Sequence, residues 1–374
     1  LHFHKALYIF LILILFGCTT PIDIFDFSDA EKKVVIDGYI TDALKSHEIK
    51  ISYSSTFNSD GIYIQEYEEA AVVVLLDELG NQIVFEHDEK GLYKSSLFQA
   101  QFDVNYELKV TIDESVYSST FKSLPLESTP LDLSYTSSVR EELSSTGSSL
   151  RPVNGVSVTA NVPSSSSDTY LLWEQKQFYI YEAVDFPYPG HDDQAAFFAD
   201  FAASVYHGRI YEWWYRYCYL QELDLLSINL EILEKKNNDG GLTISNEINF
   251  IPCSAKLEHD YAIRVKQLNL DVEAYVYWES IRDATQSSGG IFDAAPFSIR
   301  GNMTDQNGAF ALGYFGVDRE ANEDVFFNNS ELALCDLQYP EACGGDHSLD
   351  VDPCLDCEKA EGESNSKDKP FWWR

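Results

Sequence analysis

The chain has 374 residues, with 61 Asp and Glu against 26 Lys and Arg, and a formal net charge of −35. So acidic a chain is repelled by nucleic acid and by anionic lipid, which excludes both as expected partners. A hydrophobic content of 45% excludes wholesale disorder, and one Met beside 23 Tyr and 23 Phe points to strands rather than helices.

The chain opens with a short basic region, His2, His4 and Lys5, followed by an apolar run from Ala6 to Phe16. The run is well short of the roughly 20 residues that cross a bilayer, but it suits the apolar part of an export signal. Gly17-Cys18 closes it, and Leu15-Phe16-Gly17-Cys18 resembles a lipobox, with Phe16 where a small residue is commoner. Residues 1–17 are therefore expected to be a lipoprotein signal peptide, with Cys18 as the lipid attachment site. No later run is long and apolar enough for a membrane-spanning helix, so the lipid on Cys18 is the expected link to the membrane. Residues 18–33, where Asp23, Asp26 and Asp29 interrupt apolar residues, are read as a tether.

Residues 34–125 read as a β-sandwich domain, Ig-like or transthyretin-like. Strands are predicted over 34–40, 48–53, 70–76, 82–85, 91–93, 106–112 and 116–121. The spacing of turns between them is that of a sandwich. The stretch 70–76 is read as a buried strand, and Asp77 to Asn81 as a turn.

Residues 126–316 read as a second β-sandwich-like domain with helical insertions. Strands are predicted over 153–162, 169–181, 242–251, 260–268, 297–301 and 309–317. The alanine-rich stretch 190–206 has a helical composition. Residues 272–285 read as a helix with Asp271 as N-cap. Residues 317–374 are expected to be loop and a cysteine-rich C-terminal cap. The fold class expected overall is mainly β.

Setting Cys18 aside leaves Cys218, Cys253, Cys335, Cys343, Cys354 and Cys357. In an exported chain they are disulfide candidates with many connectivities. Cys218 and Cys253 are placed to pair across neighbouring strands, and the four C-terminal cysteines to staple the cap. Cys354-x-x-Cys357 also admits a redox pair or half of a zinc site, but no βαβ scaffold accompanies it. Asp346, Asp350, Asp352 and Asp356 admit calcium, though without the EF-hand spacing. Solvated acidic loop and structural disulfides are the readings adopted, so no metal and no cofactor are expected. The densest aromatic cluster, Tyr211, Trp213, Trp214, Tyr215 and Tyr217, is the candidate binding or docking surface, because Tyr and Trp make good anchors. The alternative is that its strand buries one aromatic face in the core. No hydrolase elbow, P-loop or dinucleotide fingerprint occurs, so no catalytic residue is assigned and no enzyme is expected.

Three stretches, taken in order, are similar to one family. They are Cys18 with Asp23-Ile24 and Val35 to Asp42; Tyr275 to Ile281 with Gly290 to Asp293, Gly301-Asn302 and Gly313-Tyr314-Phe315; and Cys354 to Cys357 with Pro370-Phe371-Trp372. On these the chain resembles the Bacteroidota outer-membrane lipoproteins of the domain-of-unknown-function 4249 family. The resemblance implies an outer-membrane protein, surface-exposed rather than periplasmic, working beside a TonB-dependent transporter as an accessory or substrate-binding lipoprotein. A structural, assembly or adhesion module is the alternative, and an extracytoplasmic hydrolase a third. The family has no assigned chemistry, so it supplies no site residues.

Overall fold

A computed structural model describes residues 32–54, 56–57, 63–126, 128–144, 149–163, 168–184, 215–223, 229–233, 243–257, 259–286, 299–332, 335, 364–366, 369–370 and 372–373. The strands of the first half are β1 (Val34–Thr41), β2 (Glu48–Tyr53), β3 (Thr56–Phe57), β4 (Tyr63–Ile64), β5 (Val72–Asp77), β6 (Gln82–His87), β7 (Leu92–Ser95), β8 (Tyr106–Ile112) and β9 (Ser115–Ser119). Then come β10 (Asp132–Leu143), β11 (Leu150–Pro163), β12 (Thr169–Val184), β13 (Tyr215–Leu223), β14 (Asn229–Leu233), β15 (Thr243–Pro252) and β16 (Tyr261–Leu270). Helix α1 (Val272–Gln286), β17 (Met303–Asp305), β18 (Phe315–Phe327) and β19 (Ser364–Ser366) complete the elements. The fold is mainly β, as the composition predicts.

One sheet runs through the molecule in the order β17-β9-β8-β5-β6-β7-β2-β1-β18-β16-β12-β13-β19, with β14 also paired to β12. Its first part curls around a core to which β1, β2, β5 and β8 all contribute. Ile36, Ile40, Ile49, Ile51, Val73 and Leu108 are each at most 1% exposed there. In its second part, the three-stranded sheet β10-β11-β15 packs face to face on β12, β16 and β18. Val156, Val158 and Val162 of β11 meet Leu171 of β12 and Ile263 and Val265 of β16, all 0% exposed. This is a β-sandwich, with apolar residues alternating inward along each strand.

β18 joins the two parts. Residues 315–318 pair in parallel with β1, in register Gly38 to Phe315 through Thr41 to Asp318. From Arg319 onward the same strand pairs antiparallel with β16, ending with Phe327 opposite Tyr261. Phe315 and Val317 accordingly enter the first core, and Val325 and Phe327 the second.

The pairing groups the chain differently from a division at 125 and 316. Residues 301–317 belong to the first body: β17 pairs with β9, and Met303, Ala311, Phe315 and Val317 are at most 1% exposed in its core. Residues 317–327 are strand rather than cysteine cap. Residues 299–301 form no strand. β5 is not buried on both faces, because Val72 is 57% exposed while Val73 and Leu75 point inward. β10, where no strand is predicted, is a 12-residue strand with an exposed edge. The 190–206 stretch lies outside the described residues.

Candidate functional site

The outer face of β1 and β2 is polar where its inner face is isoleucine. Residues alternate across a strand, so Lys33, Val35 and Asp37 share one side of β1. The register places Asp37 opposite Lys50 and Val35 opposite Ser52, which puts Lys50, Ser52 and Ser54 on that same side of β2. These six residues form the floor of a groove of about 810 Å³. One wall is Gln65 and Tyr67, which follow β4. The other is Tyr277, Trp278 and Ile281 of α1 with Ile299, Leu312 and Gly313.

Local chemistry fixes the wall made by α1 and the Gly313 segment. Asp271 caps α1: its Oδ1 accepts the Ala274 N–H at 2.7 Å, which satisfies one of the first-turn donors. The other oxygen of Asp271 accepts from Lys122 Nζ at 2.7 Å, and Glu273 accepts from the same ammonium at 2.9 Å. Burial alone would push the Lys122 ammonium down, but these carboxylates more than offset it and hold the group charged. Tyr277 stacks on Tyr314 with centroids 4.9 Å apart and meets Trp278 edge-on at 5.5 Å. Gly313 has φ +83°, and an added Cβ would lie 2.2 Å from the Ile36 carbonyl oxygen, so this wall approaches β1 backbone to backbone. Asn302 clamps the segment: its Nδ2 donates to the Phe315 carbonyl at 2.8 Å, and its Oδ1 accepts the Phe315 N–H at 2.9 Å.

Asp37 sits in the floor, partly accessible from the groove. Burial pushes its carboxyl up to about 6, the Tyr314 N–H opposes this, Glu174 adds to it and Lys50 opposes it. Lys50 lies over the Tyr67 ring at 5.7 Å and Lys33 over the Phe310 ring at 4.5 Å.

Behind the groove, the seam between the two bodies is ionic. Lys266 Nζ donates to the Tyr39 hydroxyl at 2.6 Å and to Glu174 at 2.8 Å, while Tyr39 donates to Glu174 at 3.0 Å. Glu320 accepts from Thr41 and Lys45, and Arg319 pairs with Asp42 at 3.3 Å. Asp318, at the residue where β18 changes partners, is 3% exposed, and burial pushes its carboxyl well up.

The predicted site residues fall elsewhere. Cys18, Cys343, Cys354, Cys357, Tyr211, Trp213 and Trp214 lie outside the described residues, as do Asp346, Asp350, Asp352 and Asp356. Tyr215, Tyr217 and Cys218 are in β13, opposite Val184, Glu182 and Tyr181, with their side chains outside the described residues. Cys253 is bonded to Cys335, with Cα atoms 5.4 Å apart, and not to Cys218. The reason is topological: β15, which ends just before Cys253, lies in the sheet opposite β13, and the chain after β18 turns back onto it. Among the described residues no cluster of three or more His, Cys, Asp or Glu could hold a metal, and no helix is long and apolar enough to cross a membrane. Sequence reading missed Asp37, Lys50 and Tyr67 as site residues. For Asp37 and Lys50 the signal was the charge alternating with isoleucine in β1 and β2, which marks a polar outer face; no such pattern marks Tyr67.

Residues 19–324 match the family described as a domain of unknown function (DUF4249). No curated protein and no solved structure matches the chain.

Proposed function

The chain belongs to the DUF4249 family, and on that premise we propose that it is a lipid-anchored cell-envelope protein that captures a substrate for an outer-membrane TonB-dependent transporter, without chemistry of its own. The observation that carries this reading is the groove of about 810 Å³, with a polar floor and aromatic walls. Its volume falls in the usual range for small-molecule sites, and its mix of ring faces and a few polar groups is what such sites use. Cys18 behind a short apolar run supports the anchor. The bond between Cys253 and Cys335 supports an oxidising compartment. The surplus of carboxylates supports solubility at an exposed surface and disfavours nucleic acid as partner.

The test is purification of the tagged protein in mild detergent from the membranes of cells that make it naturally. A β-barrel partner or a bound small molecule is expected to co-purify. Recovery of the chain alone, or from the soluble fraction, contradicts the proposal. The second reading, a structural or adhesion module, draws on the β10–β11 hairpin. It extends past β15 and exposes Leu143 and Leu150 at 67% and 59%. Loss of a stable protein partner on changing these two leucines, with no ligand in the groove, would favour it.

A further inference from the structure

We propose that the groove takes a saccharide carrying a carboxylate, with Lys33 and Lys50 recognising the acidic group and Tyr67 and Trp278 flanking the sugar ring. This deepens the binding reading above and rests on it.

The chain has 61 carboxylate side chains for 26 Lys and Arg, so a basic residue without an acidic neighbour is unexpected. Many other cations are paired: Lys32 with Glu66, Lys94 with Asp88, Arg264 with Asp324 and Lys266 with Glu174. Lys33 and Lys50 make no ion pair within 4 Å of any described residue, although Asp37 lies opposite Lys50 in the strand register and feels its charge. Each instead lies over a ring face, at 4.5 Å and 5.7 Å. A cation held on a ring keeps donors available to a second partner. Both open onto one groove, so these two cations stand together at a cavity.

The remaining surfaces select among anions. A simple inorganic ion would occupy the two ammonium groups and leave the rest of the groove wet. The floor also offers the Ser52 hydroxyl and the Asp37 carboxyl, which suit hydroxyl groups. Tyr67 on one wall and Trp278 on the other present aromatic carbon, which covers the apolar face of a sugar ring. A ring bearing hydroxyls and one carboxylate engages all of these together. A flat aromatic acid would leave the serine and Asp37 unmatched.

The experiment is calorimetric titration of the full chain with a galacturonate trisaccharide and, in parallel, the neutral galactose trisaccharide. The acidic sugar should bind at least tenfold tighter than the neutral one. That preference should vanish in Lys33→Gln/Lys50→Gln and when salt is raised tenfold, the salt arm needing no variant. Trp278→Ala should weaken the acidic sugar at least tenfold, whereas Lys109→Gln, on a different surface, should change nothing. Equal affinity for the two sugars, abolished by Trp278→Ala, overturns the acidic class and leaves the groove reading standing. Binding of neither sugar overturns the saccharide proposal while co-purification still judges the wider function. Binding indifferent to Trp278 and to both lysines removes the groove itself.

Discussion

Two kinds of residue build the groove, those that allow close approach and those that set its charge. Gly313 belongs to the first kind. With φ at +83° and the Ile36 carbonyl 2.2 Å from where a Cβ would sit, any side chain both strains the backbone and pushes β1 away. Gly313→Ala should cost on the order of 3 kcal/mol or more, read by urea unfolding. A cost below about 1 kcal/mol would mean that the two segments do not pack as described. Asp37 belongs to the second kind, and its raised pKa has a definite sign. Between 3.8 and about 6 the folded chain holds the proton while the unfolded chain has lost it. Stability from this group therefore falls as pH rises across that window, by at most about 3 kcal/mol. His47 acts oppositely. Burial, then Lys45, pushes its imidazole down to about 4. The unfolded chain binds that proton first, so stability rises with pH between about 4 and 6.5. The two trends overlap and mask each other in the native protein. Asp37→Asn separates them: it keeps an oxygen for the Tyr314 N–H and removes the ionisation. The variant should match the native chain near pH 4 and exceed it in stability at pH 7.5, in unfolding curves taken at both. A gap that does not change with pH would show that Asp37 is not the group perturbed.

At the scale of elements, α1 depends on its first turn. Asp271 both caps the helix and neutralises Lys122, whose side chain is 4% exposed. Asp271→Ala should cost about 1 kcal/mol for the cap and a further 1–3 kcal/mol for leaving a buried ammonium with Glu273 alone. Asp271→Asn keeps the cap and should recover only the first part, as chemical denaturation can resolve. Equal loss in the two variants would assign the whole effect to charge. This helix was legible in the sequence because an Asp precedes a run of helix formers. So was β8, whose burial alternates along its whole length. β10 was not: Ser, Thr and Glu dominate it, its edge faces solvent, and few inward residues mark it. β18 was only half legible. Its middle, Asp318 to Asp324, is charged because it forms the ionic seam, and charge there hid a continuous strand. The groove was illegible for a different reason. The stretches Val35 to Asp42, Tyr275 to Ile281 and Gly313 to Phe315 stood out as motifs. Nothing local says that they meet, since their juxtaposition follows from a parallel pairing between β1 and β18 across most of the chain.

At the scale of the molecule, the groove exists because two bodies are held in one orientation. Its floor comes from β1 and β2, and its aromatic wall from a helix that follows β16. β18 spans both, and the seam adds the Tyr39, Lys266 and Glu174 triad and the Arg319 pair with Asp42. The first core is also discontinuous in sequence, since Met303, Ala311, Phe315 and Val317 return to it from the far end of the chain. Neither body is complete without the strand that leads into the other. Hydrophobic cores joined through a shared strand should unfold together, whereas domains on a linker unfold separately. A ligand bound in the groove would then raise the stability of the whole and not of one half. Scanning calorimetry of the full chain tests this coupling most directly. One cooperative transition is expected, with calorimetric and van't Hoff enthalpies in agreement. Two resolved transitions, each surviving proteolytic removal of the other half, would contradict it and dissolve the groove as a fixed site.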